Sequence, residues 1–243
     1  MTSAEKEELL QRAKQYFTQQ IAEPHLRKEK EWSKLSTFNV NPFLDRYLAR
    51  FYTGTETARA LAQTLILPRA LGTSITTSFG SFMQKLIVRV LLLAKGENSD
   101  GFDLVFVDAL DGRTKYCQLK SGPKTINKDD IQTIARHFIA FQNRAKQNHI
   151  DLMQGDLCVA VLYGTRSELS GMYARLETDH SIPVFVGQEF WHHLTGESDF
   201  YAGLIKAFRE VAAATDASKL IEDAIEKLAA AIEERNKQDE TAV

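Results

Sequence analysis

Three polar side chains sit where chemistry could be done: Asp103, Gln118 and Lys120. They lie in two runs of β character, Phe102–Ala109 and Thr114–Leu119 with its continuation, on either side of Leu110-Asp111-Gly112-Arg113. The Asp-Gly pair favours a tight hairpin. If Asp111-Gly112 is a two-residue turn, Leu110 pairs with Arg113, Asp103 lies opposite Lys120 and Val105 opposite Gln118. Alternation along each strand then turns 103, 105, 118 and 120 to one face, next to Ser121-Gly122. A carboxylate, an amide and an ammonium on an apolar hairpin need a reason, because burying them unpaired is costly. Phosphodiester hydrolysis supplies one. Oxygen ligands hold a divalent ion on the phosphate, while the ammonium orients the attacking water and stabilises the charge that develops. Mg²⁺ suits such ligands. A cross-strand salt bridge on an exposed face is the plain alternative, and the hairpin alone leaves both readings open.

The surrounding pattern indicates what must hold these residues. Residues 4–20 read as an amphipathic helix. Asn41-Pro42 opens a second helix to about Phe51, with Asn as cap and Pro in the first turn. Thr55–Leu65 reads as a third, and Leu67-Pro68-Arg69-Ala70-Leu71-Gly72 breaks it. Apolar residues at 82, 83, 86, 87, 90 and 91 predict a helix over Ser81–Leu93. After the hairpin come a helix from Asp129 to about Gln147 and an apolar run, Leu157–Tyr163, typical of a strand covered on both faces. A short strand, Ile182–Val186, and helices near 188–195, 199–213 and 217–235 complete the chain. The order predicts an α/β fold, a central mixed sheet flanked by helices. One domain is expected over 1–243: a helical N-terminal part (1–70), a catalytic core (71–195) and C-terminal helices (196–243).

Composition narrows the classes. No apolar run approaches the roughly 18 residues that span a bilayer. Met1–Lys14 is charged, unlike a signal peptide. Cys117 and Cys158 lie in apolar runs without metal-ligand spacing and read as buried thiols. A soluble cytoplasmic protein is expected. Net charge is only −2, but Arg113–Lys146 carries eight Lys/Arg against two acids. From Asp216 onward there are eight acids and four bases. The basic middle suits a polyanion, or equally a solvated helix face.

The sequence resembles the PD-(D/E)xK nucleases, whose core has an Asp at the start of one strand and a (D/E)xK tripeptide on the next. Here the pattern is Gly101-Phe102-Asp103, then Gln118-Leu119-Lys120, with Gln in the acidic position. Longer strings, Asn41-Pro42-Phe43-Leu44, Leu67-Pro68-Arg69-Ala70-Leu71-Gly72-Thr73-Ser74-Ile75, Tyr116-Cys117-Gln118-Leu119-Lys120-Ser121-Gly122-Pro123 and Gly187-Gln188-Glu189-Phe190-Trp191, are similar to type II restriction endonucleases of a PmeII-like group. The likeness spans roughly residues 40–210. It implies Mg²⁺-dependent cleavage of double-stranded DNA at a short sequence by a homodimer, with a cognate DNA methyltransferase in the same system. Asp103 would be the principal metal ligand, Gln118 a second ligand or a hydrogen-bonder to it, and Lys120 the catalytic lysine. The carbonyl of Leu119 would add a ligand. Many relatives carry an acid on the helix before the hairpin; here the best-placed polar residue is Gln84. Glu97 and Asp100 are candidate replacements, and Asp108 less so because strand parity turns it away. A repair or junction nuclease, or a DNA-binding protein with a decayed nuclease core, would also fit.

Other residues have two readings each. Lys124, Thr125, Asn127 and Lys128, with Ser121, could grip phosphates beside the cut; Asn127, Asp129 and Asp130 equally suit a helix start. Ser78, in a Ser/Thr-rich stretch before a helix, could meet a phosphate or simply pack. His192-His193 diverge on a helix and cannot chelate as an i, i+4 pair, while Phe190 and Trp191 read as core anchors. Arg166 could read a guanine edge. Apolar residues at 221, 225, 228 and 232 approach a coiled-coil seam; packing within the chain is the expectation, a dimer contact the rival.

Overall fold

The computed structural model describes the backbone of residues 1–96 and 101–241, and the side chains of all these except 29, 30, 73–78 and 239–241. Expectations for Glu97, Asp100 and the Ser78 side chain therefore lie outside the described residues. In chain order the helices and strands are α1 (Ser3–Phe17), α2 (Glu23–Arg27), α3 (Glu29–Trp32), α4 (Asp45–Thr53), α5 (Ala58–Pro68), α6 (Ser74–Lys85), β1 (Leu104–Val107), β2 (Thr114–Lys120), α7 (Lys128–Gln147), β3 (Leu157–Val161), α8 (Gly171–His180), β4 (Val184–Val186), α9 (Gln188–Thr195), α10 (Phe200–Ala214) and α11 (Ser218–Thr241). The chain divides into two compact units, one of residues 1–16 and 79–209, the other of 17–78 and 210–243.

The first unit holds the sheet, ordered β1-β2-β3-β4. β1 is antiparallel to β2, and β3 and β4 continue parallel. Parallel neighbours need crossovers, which α7 and α8 provide. Val159, Val161, Val184 and Val186 pack with Ile131, Ile134, Phe138 and Phe141 of α7 and with Tyr173 and Leu176 of α8. On the opposite face Phe106 meets Phe190 edge-on and Phe185 stacks on His193 of α9. All five residues of β3 are buried, as its unbroken apolar run implies. The mixed sheet flanked by helices is thus as expected, and Phe190 and Trp191 are fully buried anchors. Cys117 and Cys158 are free, buried and adjacent across β2 and β3. Burial pushes the Cys117 thiol well up, which keeps it protonated and inert.

The hairpin departs from the two-residue turn. Leu104 pairs with Cys117 and Val107 with Thr114, a register displaced by two residues. The connection opens at Asp108, whose N–H donates to the Arg113 carbonyl and whose carbonyl accepts from Gly112 N–H. The cause is a long-range contact. Asp108 is fully buried, its carboxylate lies 2.7 Å from His193 Nδ1, and the His193 carbonyl accepts from Ala109 N–H. These bonds draw residues 108–110 and 113 out of the expected ladder. Beside them lies an ion cluster centred on buried Lys115 and Asp156: Lys115 Nζ reaches the more exposed Asp111 at 2.6 Å and Asp156 at 3.3 Å, and Arg113 reaches Asp156 at 2.6 Å. A displacement of two keeps side-chain parity, so Gln118 and Lys120 still share a face, while Asp103 precedes the ladder, whose first pair is Leu104 with Cys117.

Helix α7 begins with a capping box: Asn127 Oδ1 accepts from Asp129 N–H and Asp130 N–H, and Asp130 Oδ2 accepts from Asn127 N–H. Asn127→Ala is expected to cost about 1 kcal/mol, readable as a lower urea midpoint with unchanged slope.

In the second unit, Leu61 and Ile66 of α5 pack with Ile225, Leu228 and Ile232 of α11. Arg59 pairs with Glu222 and Glu226 along the same seam. The apolar repeat of the last helix is therefore used within the chain. Two helix boundaries differ from expectation. Asn41 Oδ1 accepts from Phe43 N–H and Leu44 N–H, so the cap closes a turn first and α4 starts at Asp45. Pro68 does not break the path either: α5 ends there and a π-turn over Arg69–Thr73 carries the chain into α6.

Candidate active site

The site grows from the segment that enters β1. Gly101 adopts φ +81°, and a Cβ there would approach His137 Nε2 to 3.3 Å, so glycine suits both backbone and space. Phe102 is fully buried, against the rings of Tyr116, His137, Phe138 and Phe141. That anchor sets the position of the next residue, Asp103. Two glutamines hold its main chain: Gln84 Nε2 donates to the Asp103 carbonyl at 2.9 Å, and Gln118 Nε2 to the Gly101 carbonyl at 2.8 Å. Asp103 Oδ2 accepts from Leu119 N–H at 2.7 Å. Because the Lys120 carbonyl accepts from Leu162 N–H, Leu119 turns its main-chain groups the other way, toward Asp103.

Lys120 lies at the end of β2, its Nζ 3.2 Å from Asp130 Oδ1. Asp130 is held below the usual carboxylate range by the Asn127 N–H and by Lys120, which outweigh its partial burial. A cleft of about 710 Å³ opens here, lined by Gly101, Gln118, Lys120, Asp130 and His137 among others. A second cleft of about 370 Å³ at the far end of α7, bordered by Ile150 and His180, is away from these strand ends.

The loop that leaves β2 is braced from within. The Gly122 carbonyl accepts from Thr125 Oγ1 at 2.8 Å and from the Tyr173 hydroxyl at 2.9 Å. Ile126 is buried, whereas Lys124, Thr125, Asn127 and Lys128 are exposed along one stretch beside Lys120, with Ser121 half-buried. Arg166 is committed elsewhere: it contacts Glu177 and Glu189 at 3.0 Å each and donates to the Val184 carbonyl, which argues against the guanine-reading role.

The oxygen donors fit a hard cation: one Asp103 carboxylate, the Leu119 carbonyl and a Gln118 amide whose nitrogen is already spent on Gly101. Among the described residues no three His, Cys, Asp or Glu side chains gather as a metal cluster.

With that geometry in place, comparison with known proteins is decisive. The family model for type II restriction endonuclease EcoO109I matches residues 11–216. The chain belongs to this family of type II restriction endonucleases. It is therefore a site-specific deoxyribonuclease and binds DNA. No curated protein matches, and the family match does not bear on the PmeII-like grouping. Among the described residues no helix is long and apolar enough to cross a membrane.

The structure gathers Gln84, Asp103, Gln118 and Leu119 around residues 101–103 and gives both glutamines a role in holding main chain. Sequence reasoning missed two residues. His137 lies 3.5 Å from Gln118 Nε2, and Asp130 was read only as a helix start although it also meets Lys120. The one signal for both was their spacing, seven residues apart on the face of α7 that lines the cleft.

Proposed function

We propose that the endonuclease makes Mg²⁺-dependent double-strand cuts at a short DNA sequence, with Asp103, Gln118, Leu119 and Lys120 as the reacting site. The observation that carries this reading is Asp103 bound to Leu119 N–H one residue from Lys120, which lines a cleft beside an exposed basic loop. Asp103, the Leu119 carbonyl and the Gln118 amide oxygen would hold the ion. Mg²⁺ would supply Lewis-acid polarisation of the phosphate and a more acidic water. Lys120 stabilises charge on the phosphate as a water oxygen, losing its proton to solvent, bonds to phosphorus and the P–O bond to the leaving oxygen breaks, that oxygen taking a proton from solvent. Gln84 keeps the Asp103 main chain in place. Lys124, Thr125, Asn127, Lys128, Ser121 and Ser78 bind the DNA backbone, which positions the duplex without reading bases. A homodimer places one such site on each strand, with a cognate methyltransferase protecting the cell's own DNA in the cytoplasm.

The test is digestion of phage DNA with millimolar Mg²⁺. Discrete fragments that vanish with chelator are expected. A smear, cutting confined to mismatched or branched duplexes, or cutting unaffected by chelator would overturn the reading.

A further inference from the structure

We infer that Asp130, from the start of α7, is the positioning carboxylate of Lys120. This inference rests on the site reading above. A lysine on a flexible stem needs a fixed counter-charge if its ammonium is to wait at one point, and the residue two before it, Gln118, is neutral. Gln118 also directs its amide nitrogen to the Gly101 carbonyl, 2.8 Å away, so it is turned to the backbone. The carboxylate beside Lys120 comes instead from ten residues further along the chain.

Its geometry suits that task. Asp130 divides its two oxygens: Oδ2 accepts from Asn127 N–H at 2.9 Å and Oδ1 faces Lys120 Nζ at 3.2 Å. The first bond is part of the capping box, so the carboxylate is held by the rigid first turn of a 20-residue helix. That helix is fixed in turn by Ile131, Ile134 and Phe138 in the core. Both partners line the same cleft, and their side chains keep 23% and 30% of their surface exposed. A pair so exposed is partly screened. Lys120 can therefore turn from Asp130 to a phosphate when DNA enters, without leaving a deeply buried charge behind.

Capping and positioning can be separated, because glutamine at the third helical position completes a capping box as well as an acid does. Asp130→Gln keeps the cap and removes the charge; Asp130→Glu keeps both. With the full-length protein, D130Q is expected to lower the single-turnover cleavage rate at saturating DNA at least about tenfold, roughly 1.4 kcal/mol of activation free energy. Melting temperature and DNA affinity without Mg²⁺ should match those of the parent, and D130E should recover most of the rate. A D130Q enzyme that cuts at the parent rate overturns the proposal. So does D130E no faster than D130Q. If D130Q melts early, the isosteric Asp130→Asn is read by the same rate criterion. Lys120→Ala separates the two ideas: full cutting by that variant defeats the site itself, whereas an inert K120A beside a fully active D130Q defeats only the role of Asp130.

Discussion

Replacing Lys120 with alanine is expected to slow single-turnover cleavage of duplex DNA by about 10²–10³-fold, the usual loss when one preorganised charge donor is removed from a transition state. DNA affinity should stay within about threefold, because one phosphate contact among several is lost. Both follow from the position of the residue. Lys120 is the last residue of β2, so its main chain is fixed by Leu162 N–H while its side chain reaches the cleft. Asp103→Ala should give the same pattern, since Asp103 is the carboxylate at that strand end. Quench-flow cleavage and filter-binding measurements on the two variants decide the matter. Cutting within threefold of the parent by either variant would remove that residue from the site.

The second large effect concerns the opposite end of the same hairpin. Asp156→Ala is expected to destabilise the protein by about 3–5 kcal/mol, the cost of breaking a buried ion pair by deleting one partner. For a chain of this size that is about 10 °C in melting temperature. Asp156 is 1% exposed and receives Arg113 and Lys115 together, and Lys115 is itself buried. Burial raises the Asp156 carboxyl, but Arg113, the Met153 N–H and Lys115 outweigh it and hold the group below the usual carboxylate range. The sign of the pH dependence follows. A depressed folded-state pKa means its contribution is complete above the unfolded value of about 4 and is lost as pH falls through the folded value. The gap in stability between parent and variant should therefore be full at pH 7 and shrink below about pH 4. A gap that is constant with pH, or below about 1 kcal/mol at pH 7, would show that Arg113 and Lys115 find adequate partners without Asp156.

Much of the fold was legible because it follows from local pattern. The apolar run of β3 announced a strand covered on both faces, and the spacing of 221, 225, 228 and 232 announced a packed helix. The hairpin register was not legible, because the bond from Asp108 to His193 joins residues 85 apart and pulls Asp108, Ala109, Leu110 and Arg113 out of the expected ladder. Gln118 and Lys120 nevertheless kept their common face, since a two-residue slip preserves parity. Asp130 and His137, whose spacing was the one signal for them, were missed for a different reason. Their place at the cleft depends on how α7 lies over Phe102, a packing outcome that no spacing within the hairpin encodes. Pro68 misled by being a sound local signal at a point where a π-turn carries the chain on.

The pairing of α5 with α11 also sets a timetable. Arg59 and Glu222, which meet on that seam, are 163 residues apart. A ribosome adding about 5–20 residues per second makes the first helix many seconds before its partner. By the end of that interval strands β1–β4 have been made, while Leu61 and Ile66 still await the residues that cover them. The sheet can therefore be assembled on a nascent chain whose helical unit is unfinished, and that apolar face of α5 is where a chaperone would be needed.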